Sequence, residues 1–259
     1  MKSSELTTYL DMFEKAAGTS WLHDQVERIR DRDPGHVPGA LPGSTGIHPL
    51  ASSWFKAREE LILSELTGRH SFSESTLRIA RLGEDLSVVN DLLNARQKEK
   101  LLDYSQYPKA SYEITVAAGY VRSGALVEFA ASGFKIIHPG GSIMVECRSL
   151  GDEPVGDAIN SMVEREIKSG ESGHGATLLY LELASRWCVQ LCNFTKQNGK
   201  SAALLSGNLY NALVITCRET ITGAGGQSLR ETGVMIPNPS PPFYLPAGFT
   251  IYIPGESSS

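Results

Sequence analysis

Apolar positions in the first hundred residues recur at helical spacing. Between 4 and 16, Leu6, Tyr9, Leu10 and Phe13 fall on one face of a helix. Over 50–67, Trp54 and Leu61, with Phe55, Ile62 and Leu66, repeat the period, and Gly68 supplies a stop. Leu82, Leu86, Val89 and Leu93, spaced four, three and four apart, predict one longer helical stretch over 76–104, broken by Pro108. Residues 33–49 hold four Pro and four Gly, a density that no regular element survives, and they read as a linker or surface arm.

The pattern changes near residue 110. Residues 111–123 predict a helix closed by Gly124. Short runs over 125–130, 133–137 and 142–148 predict strands, the last two joined by the turn His138-Pro139-Gly140-Gly141. The continuous apolar runs 176–183 and 211–217 predict buried strands, with helices expected over 156–168 and 185–197. Residues 222–228 read as a Gly/Ser-rich loop, 237–246 as an extended Pro-rich segment and Ser257–Ser259 as a frayed tail. Helices between buried strands imply an α/β sandwich. The organisation that follows is a helical N-terminal region, 1–75, containing the linker 33–49, and an α/β domain over 76–259.

Composition narrows the class. Of 259 residues, 41% are hydrophobic and 20% charged, as in an ordinary globular protein. No apolar run reaches the roughly 18 residues of a membrane span, and the first residues lack the basic and apolar stretches of a signal peptide. Four Cys are too few for a disulfide scaffold, so a reducing cytoplasm is the expected location. The net charge of −5 argues against a general polyanion binder, and residues 111–170, with 5 basic and 8 acidic groups, are the most acidic part.

An ordered set of short motifs then stands out: Tyr112-Glu113 in a helix, Gly124, the strand Val127-Glu128-Phe129, and the strand Val145-Glu146-Cys147-Arg148. Two buried strands and an Asn238-Pro239 … Leu245-Pro246 tail follow. Over roughly residues 80–247 this order resembles the PD-(D/E)XK, or restriction-endonuclease-like, superfamily, and within it bacterial members with a VECK-type strand. The resemblance implies a mixed β-sheet flanked by helices, preceded here by the helical N-terminal region. It also implies a site in which strand carboxylates hold Mg²⁺ or Mn²⁺, which polarises a phosphodiester and activates water. A Lys two residues after the strand Glu would share its face, because strand side chains alternate.

By that resemblance Glu146 is the strand carboxylate, Arg148 occupies the Lys position, Glu113 is the helix carboxylate and Glu128 is the one further acidic group able to join a metal site. Two departures matter. Arg148 cannot give up a proton at neutral pH. Gly133 stands where the metal-binding Asp belongs, and no Asp lies between Asp103 and Asp152. Blander roles are open for each: an ion pair between Glu146 and Arg148, a helix-dipole contact for Glu113, a solvated Glu128. Cys147 should point away from Glu146 into packing. Cys188 and Cys192 read as core thiols, Trp187 as core, His138 and His174 as loop residues, and 223–227 as a loop without phosphate-binding spacing.

Two functions are expected. One is a nuclease-like protein with a damaged metal site, acting as a binding or assembly module for nucleic acid or a protein partner, with a homo-oligomer possible and no membrane attachment. The alternative is a metal-dependent nuclease using a rearranged site of Glu113, Glu128, Glu146 and Arg148.

Overall fold

A computed structural model describes residues 1–32, 46–68, 71–150, 175–188, 191, 205, 208–223 and 226–255. The chain forms two compact units. One comprises Met1–Thr115 with Thr220–Leu229, the other Val116–Glu219 with Arg230–Ser259. Helices precede a six-stranded mixed sheet, so the fold is α/β. Among the described residues no helix is long and apolar enough to cross a membrane.

The first unit is built from helices α1 (Ser3–Ala17), α2 (Thr19–Arg32), α3 (Pro49–Thr67), α4 (Glu74–Val89) and α5 (Ala95–Leu102). The expected stripe of α1 is buried through Leu6, Leu10 and Phe13, and that of α4 through Leu82, Leu86 and Val89. Complete burial of a Leu or Phe contributes about 2 kcal/mol. At Gly83 a β-carbon would stand 2.0 Å from the Tyr9 carbonyl oxygen, so α4 admits the backbone of α1 only because this position is glycine. Gly83→Ala should therefore lose about 1–2 kcal/mol in thermal or urea unfolding. The overlap outweighs the alanine helix preference of about 1 kcal/mol.

The single stretch expected over 76–104 is interrupted. A 3₁₀ turn at Asn90–Leu92 and extended Leu93 end α4, and Asn94 restarts the chain by accepting a hydrogen bond from the Gln97 amide at 3.0 Å. Pro108 does not separate elements as expected. It sits in the first turn of helix α6 (Tyr107–Arg122), where its missing N–H has no helical partner to lose. Helix α2 was not marked by the apolar spacing. Of the expected linker 33–49, residues 33–45 lie outside the described residues, while Pro49 opens α3.

His48 caps α3. Its Nδ1 accepts from the Leu50 amide at 3.2 Å and its own amide donates to Gln25 Oε1 at 3.0 Å. Trp21 and Tyr107 pack edge-on against the ring at 5.2 and 5.0 Å. Burial holds the imidazole below its ordinary pKa, and Asp103 acts in the opposite direction. A depressed folded pKa means the contribution is whole above the unfolded value of about 6.5 and is lost as pH falls through the lower folded one. Protonation would also remove the capping acceptor. His48→Asn keeps an acceptor without a titrating group, so its stability between pH 7.5 and 5 should fall less than that of the wild type in thermal scans.

The second unit carries the sheet, in spatial order β1 (Leu126–Phe129), β2 (Phe134–His138), β3 (Gly141–Ser149), β4 (Thr177–Leu183), β5 (Ala212–Gly223) and β6 (Gly226–Pro237). β1, β2 and β3 pair antiparallel; β3, β4 and β5 pair parallel. β4 is buried along both faces except at Glu182, which explains its unbroken apolar run. One face carries Phe134, Val145, Cys147 and Tyr180, and Phe134 and Tyr180 pack edge-on against Tyr120 of α6. Tyr120 and Tyr180 share a 2.7 Å hydroxyl bond, Tyr180 donates to the Tyr252 carbonyl at 2.6 Å, and the Tyr252 amide returns to Tyr120 at 3.3 Å. The opposite face carries Leu179, Leu181, Leu213, Ile215 and Cys217 under Cys188, Leu191, Leu205 and Tyr210.

Two expectations are corrected here. The loop expected over 222–228 is largely strand: β5 runs to Gly223 and β6 starts at Gly226, leaving a short connection. Cys188 is not a free core thiol. It forms a disulfide with Cys217 across 29 residues, with α-carbons 5.5 Å apart. The helix expected over 156–168 lies outside the described residues, as do His174 and Cys192.

Candidate functional site

β3 places Glu146 and Arg148 on one face and Cys147, fully buried, on the other, as strand alternation requires. Glu146 and Arg148 are each about one-fifth exposed, and Arg148 Nη2 lies 3.5 Å from Glu146 Oε2. The third member is Tyr210, just before β5. Its hydroxyl donates to the same Glu146 oxygen at 2.8 Å and receives Arg148 Nη2 at 3.4 Å. Burial pushes the Tyr210 phenol well above its ordinary range, the adjacent Glu146 carboxylate adds to the rise, and Arg148 opposes it. The phenol is thus a fixed neutral donor.

Tyr210 is held by its surroundings. It is 1% exposed, its carbonyl accepts from the Asn238 amide group at 2.8 Å, and the neighbouring Asn211 Oδ1 accepts from the Thr177 amide at 2.9 Å. Asn238, part of the tail motif in the sequence, ties the chain after β6 to the site. Tyr210→Phe should cost about 1.5 kcal/mol in chemical unfolding, the net worth of a hydrogen bond to a charged group.

The other candidates are placed differently. Glu128 is exposed on β1 and aligns with Lys135, which aligns with Met144. It therefore stands two strands from Glu146 and out of register by two residues, an α-carbon separation of about 12 Å from strand spacing and rise. Glu113, 1% exposed on α6, lies in the helical unit with Lys109 Nζ 3.8 Å from its Oε1. His138 Nδ1 accepts from the Gly140 amide at 3.1 Å, shaping the β2–β3 turn.

Gly133 stands where the resemblance would place an Asp. It has φ +79°, and a β-carbon there would stand 2.0 Å from the Val145 carbonyl oxygen. The turn entering β2 presses against β3 one residue before Glu146. A side chain at position 133 has no room.

Mg²⁺ requires several hard oxygen donors converging on one point. Glu146 offers one carboxylate, and one of its oxygens already takes the Tyr210 hydroxyl and faces the Arg148 cation. Among the described residues no group of three or more His, Cys, Asp or Glu side chains gathers as a metal ion would need. The donor set at Glu146 does not fit a divalent metal centre. What the trio can do is hold a partly exposed guanidinium in a fixed arrangement against a buried phenol and a carboxylate.

A second ionic group crosses the same sheet on the opposite face. Arg218 of β5 lies 2.9 Å from Glu231 of β6 and 3.6 Å from Glu182 of β4, and the Ser149 hydroxyl donates to Glu182 at 3.0 Å. Sequence spacing gave no sign of it, because its members come from four strands. Each acidic group there has a cationic or hydroxyl partner, and the arrangement reads as a structural tie across β3–β6.

No family model, no curated protein and no solved structure matches the chain.

Proposed function

We propose that this chain is a PD-(D/E)XK-like protein whose metal site is lost and which works as a binding or assembly module rather than as a nuclease. The observation that carries the reading is Gly133. The position that the resemblance assigns to a metal-binding Asp has a left-handed backbone and no space for a side chain.

Two further features support it. Glu146 is neutralised in place by Arg148 and capped by Tyr210, which is how a stranded carboxylate is accommodated in a half-buried setting. A helix, α6, followed by a mixed sheet of antiparallel and parallel strands is compatible with the mixed, helix-flanked sheet expected from the resemblance. The net charge of −5 favours a protein over a polyanion as the partner.

The test is Mn²⁺ and Mg²⁺ titration by calorimetry on wild type and Glu146→Ala, with plasmid and oligonucleotide cleavage measured on the same preparations. The expected result is no saturable metal binding at millimolar concentration and no cleavage by either protein. Metal binding that disappears with Glu146→Ala, accompanied by cleavage, would overturn the proposal and establish a nuclease with an unusual ligand set.

A further inference from the structure

After β6 the chain returns over the sheet unit as an extended strap, residues 249–255, whose contacts all lie within that unit. Phe249 stacks on Tyr120 of α6 with ring centres 6.1 Å apart. The Tyr252 ring fills a notch over Gly119 of the same helix, where a β-carbon would stand 2.2 Å from a ring carbon. The Tyr180 hydroxyl donates to the Tyr252 carbonyl, and the Tyr252 amide donates to the Tyr120 hydroxyl. Ile253 and the Pro254 carbonyl then press on Gly233 of β6, at 2.6 and 2.7 Å from where a β-carbon would be. A helix interior favours alanine over glycine by about 1 kcal/mol. Gly119 therefore serves the strap and not the helix.

The strap is joined to the body by a short hinge. Upstream, the Phe243 carbonyl accepts from the Asn211 amide group. Between Phe243 and Phe249 the chain reads Tyr244-Leu245-Pro246-Ala247-Gly248. It reverses there through a turn in which the Phe249 amide donates to the Pro246 carbonyl at 3.1 Å and Gly248 has φ +79°. Opening that turn makes the five residues a linker of about 17 Å. The strap then reaches a second copy, where each contact of the notch is remade with the same partners. Exchange of an identical element through a hinge of this kind is a low-cost route to a dimer.

Exposure singles out the same hinge. Phe243 is 40% and Tyr244 86% exposed. Two successive aromatic rings meet water in the single chain, although aromatic side chains are what protein interfaces bury. In an exchanged pair the two hinges run side by side and cover them.

We infer that the strap is an exchangeable arm, and that residues 249–255 of one copy occupy the notch over Gly119 and Gly233 of a second copy in a reciprocal dimer. The partner is this chain itself. The inference goes beyond the loss of the metal site and stands whatever the Glu146 site binds.

The experiment uses the full chain and sedimentation velocity after equilibration at rising protein concentration. Wild type should convert from monomer to dimer. Tyr252→Ala spoils the arm and Gly119→Ala fills the notch, so each alone should associate at least tenfold more weakly. An equimolar mixture of the two pairs an intact arm with an intact notch. With a different fluorescent label on each variant, it should form a mixed dimer at least tenfold more tightly than either variant pairs with itself. Tyr244→Ser changes an exposed hinge residue, so it should melt like wild type and still dimerise tenfold more weakly. Wild type that stays monomeric at every concentration overturns the inference. So does a dimer that survives Tyr252→Ala unchanged, because another surface would then hold it. A mixture no tighter than its separate variants, or a Tyr244→Ser protein that dimerises like wild type, overturns it too.

Discussion

Gly133→Asp is expected to weaken the sheet unit by about 3–4 kcal/mol, and not to rebuild a metal centre. Two costs add. The backbone at 133 has φ +79°, where a residue with a β-carbon is disfavoured by about 1–2 kcal/mol. The β-carbon would also overlap the Val145 carbonyl oxygen at 2.0 Å, and overpacking against backbone costs a further 1–3 kcal/mol, roughly. For a chain of this size the melting temperature should fall by roughly 10 °C. Gly133→Ala, which adds no charge, should lose nearly as much, and that control separates the backbone cause from repulsion between the new Asp and Glu146. Differential scanning fluorimetry and Mn²⁺ calorimetry on both variants check the claim. A Gly133→Asp protein that melts like wild type and binds Mn²⁺ would show that the position can hold a ligand after all.

The same residue marks how far the sequence could be read. Period-two and continuous apolar runs located β1 to β5 because each buries one or both faces, and burial is what the pattern records. β6 escaped. Its residues alternate polar and small groups, GQSLRETG, and only Val234 and Ile236 near its end are buried. α2 escaped for a related reason: its apolar residues are few and leave a short stripe. Pro108 misled because its effect depends on position in a helix, and the start of α6 was not marked.

At the site, strand alternation sufficed to place Glu146 and Arg148 together and Cys147 opposite. Tyr210 was invisible. It lies 64 residues from Glu146, and only the parallel pairing of β3, β4 and β5 brings it there. The disulfide was missed on the same ground. The spacing of Cys188 and Cys192 drew attention to a local pair, whereas the partner is on β5, fixed by the register that sets Leu183 beside Cys217.

Removing the Cys188–Cys217 bond is expected to lower stability by about 3.5 kcal/mol. Closing a loop of 29 residues takes conformational freedom from the unfolded chain, and the loop-entropy relation gives that magnitude. The bond ties the segment after β4 to β5, beside Leu183, Leu191 and Leu205, so it acts on the layer that also holds Tyr210. Both sulfurs are buried, with Cys188 2% and Cys217 0% exposed, and a reductant reaches them only when this layer opens. Thiol counting in denaturant should find at most two reactive groups among the four cysteines of the oxidised protein. Cys217→Ala in oxidising buffer should melt roughly 10 °C below wild type. In a reducing buffer that has had time to act, wild type should fall to within about 1 kcal/mol of the variant, the remainder being the small cavity left by the lost sulfur. A gap that persists in reducing buffer would mean that Cys217 stabilises the sheet through packing alone. Since disulfides persist only where the surroundings are oxidising, the fall of the wild type from oxidising to reducing buffer also measures how much stability the chain would give up in a reducing compartment.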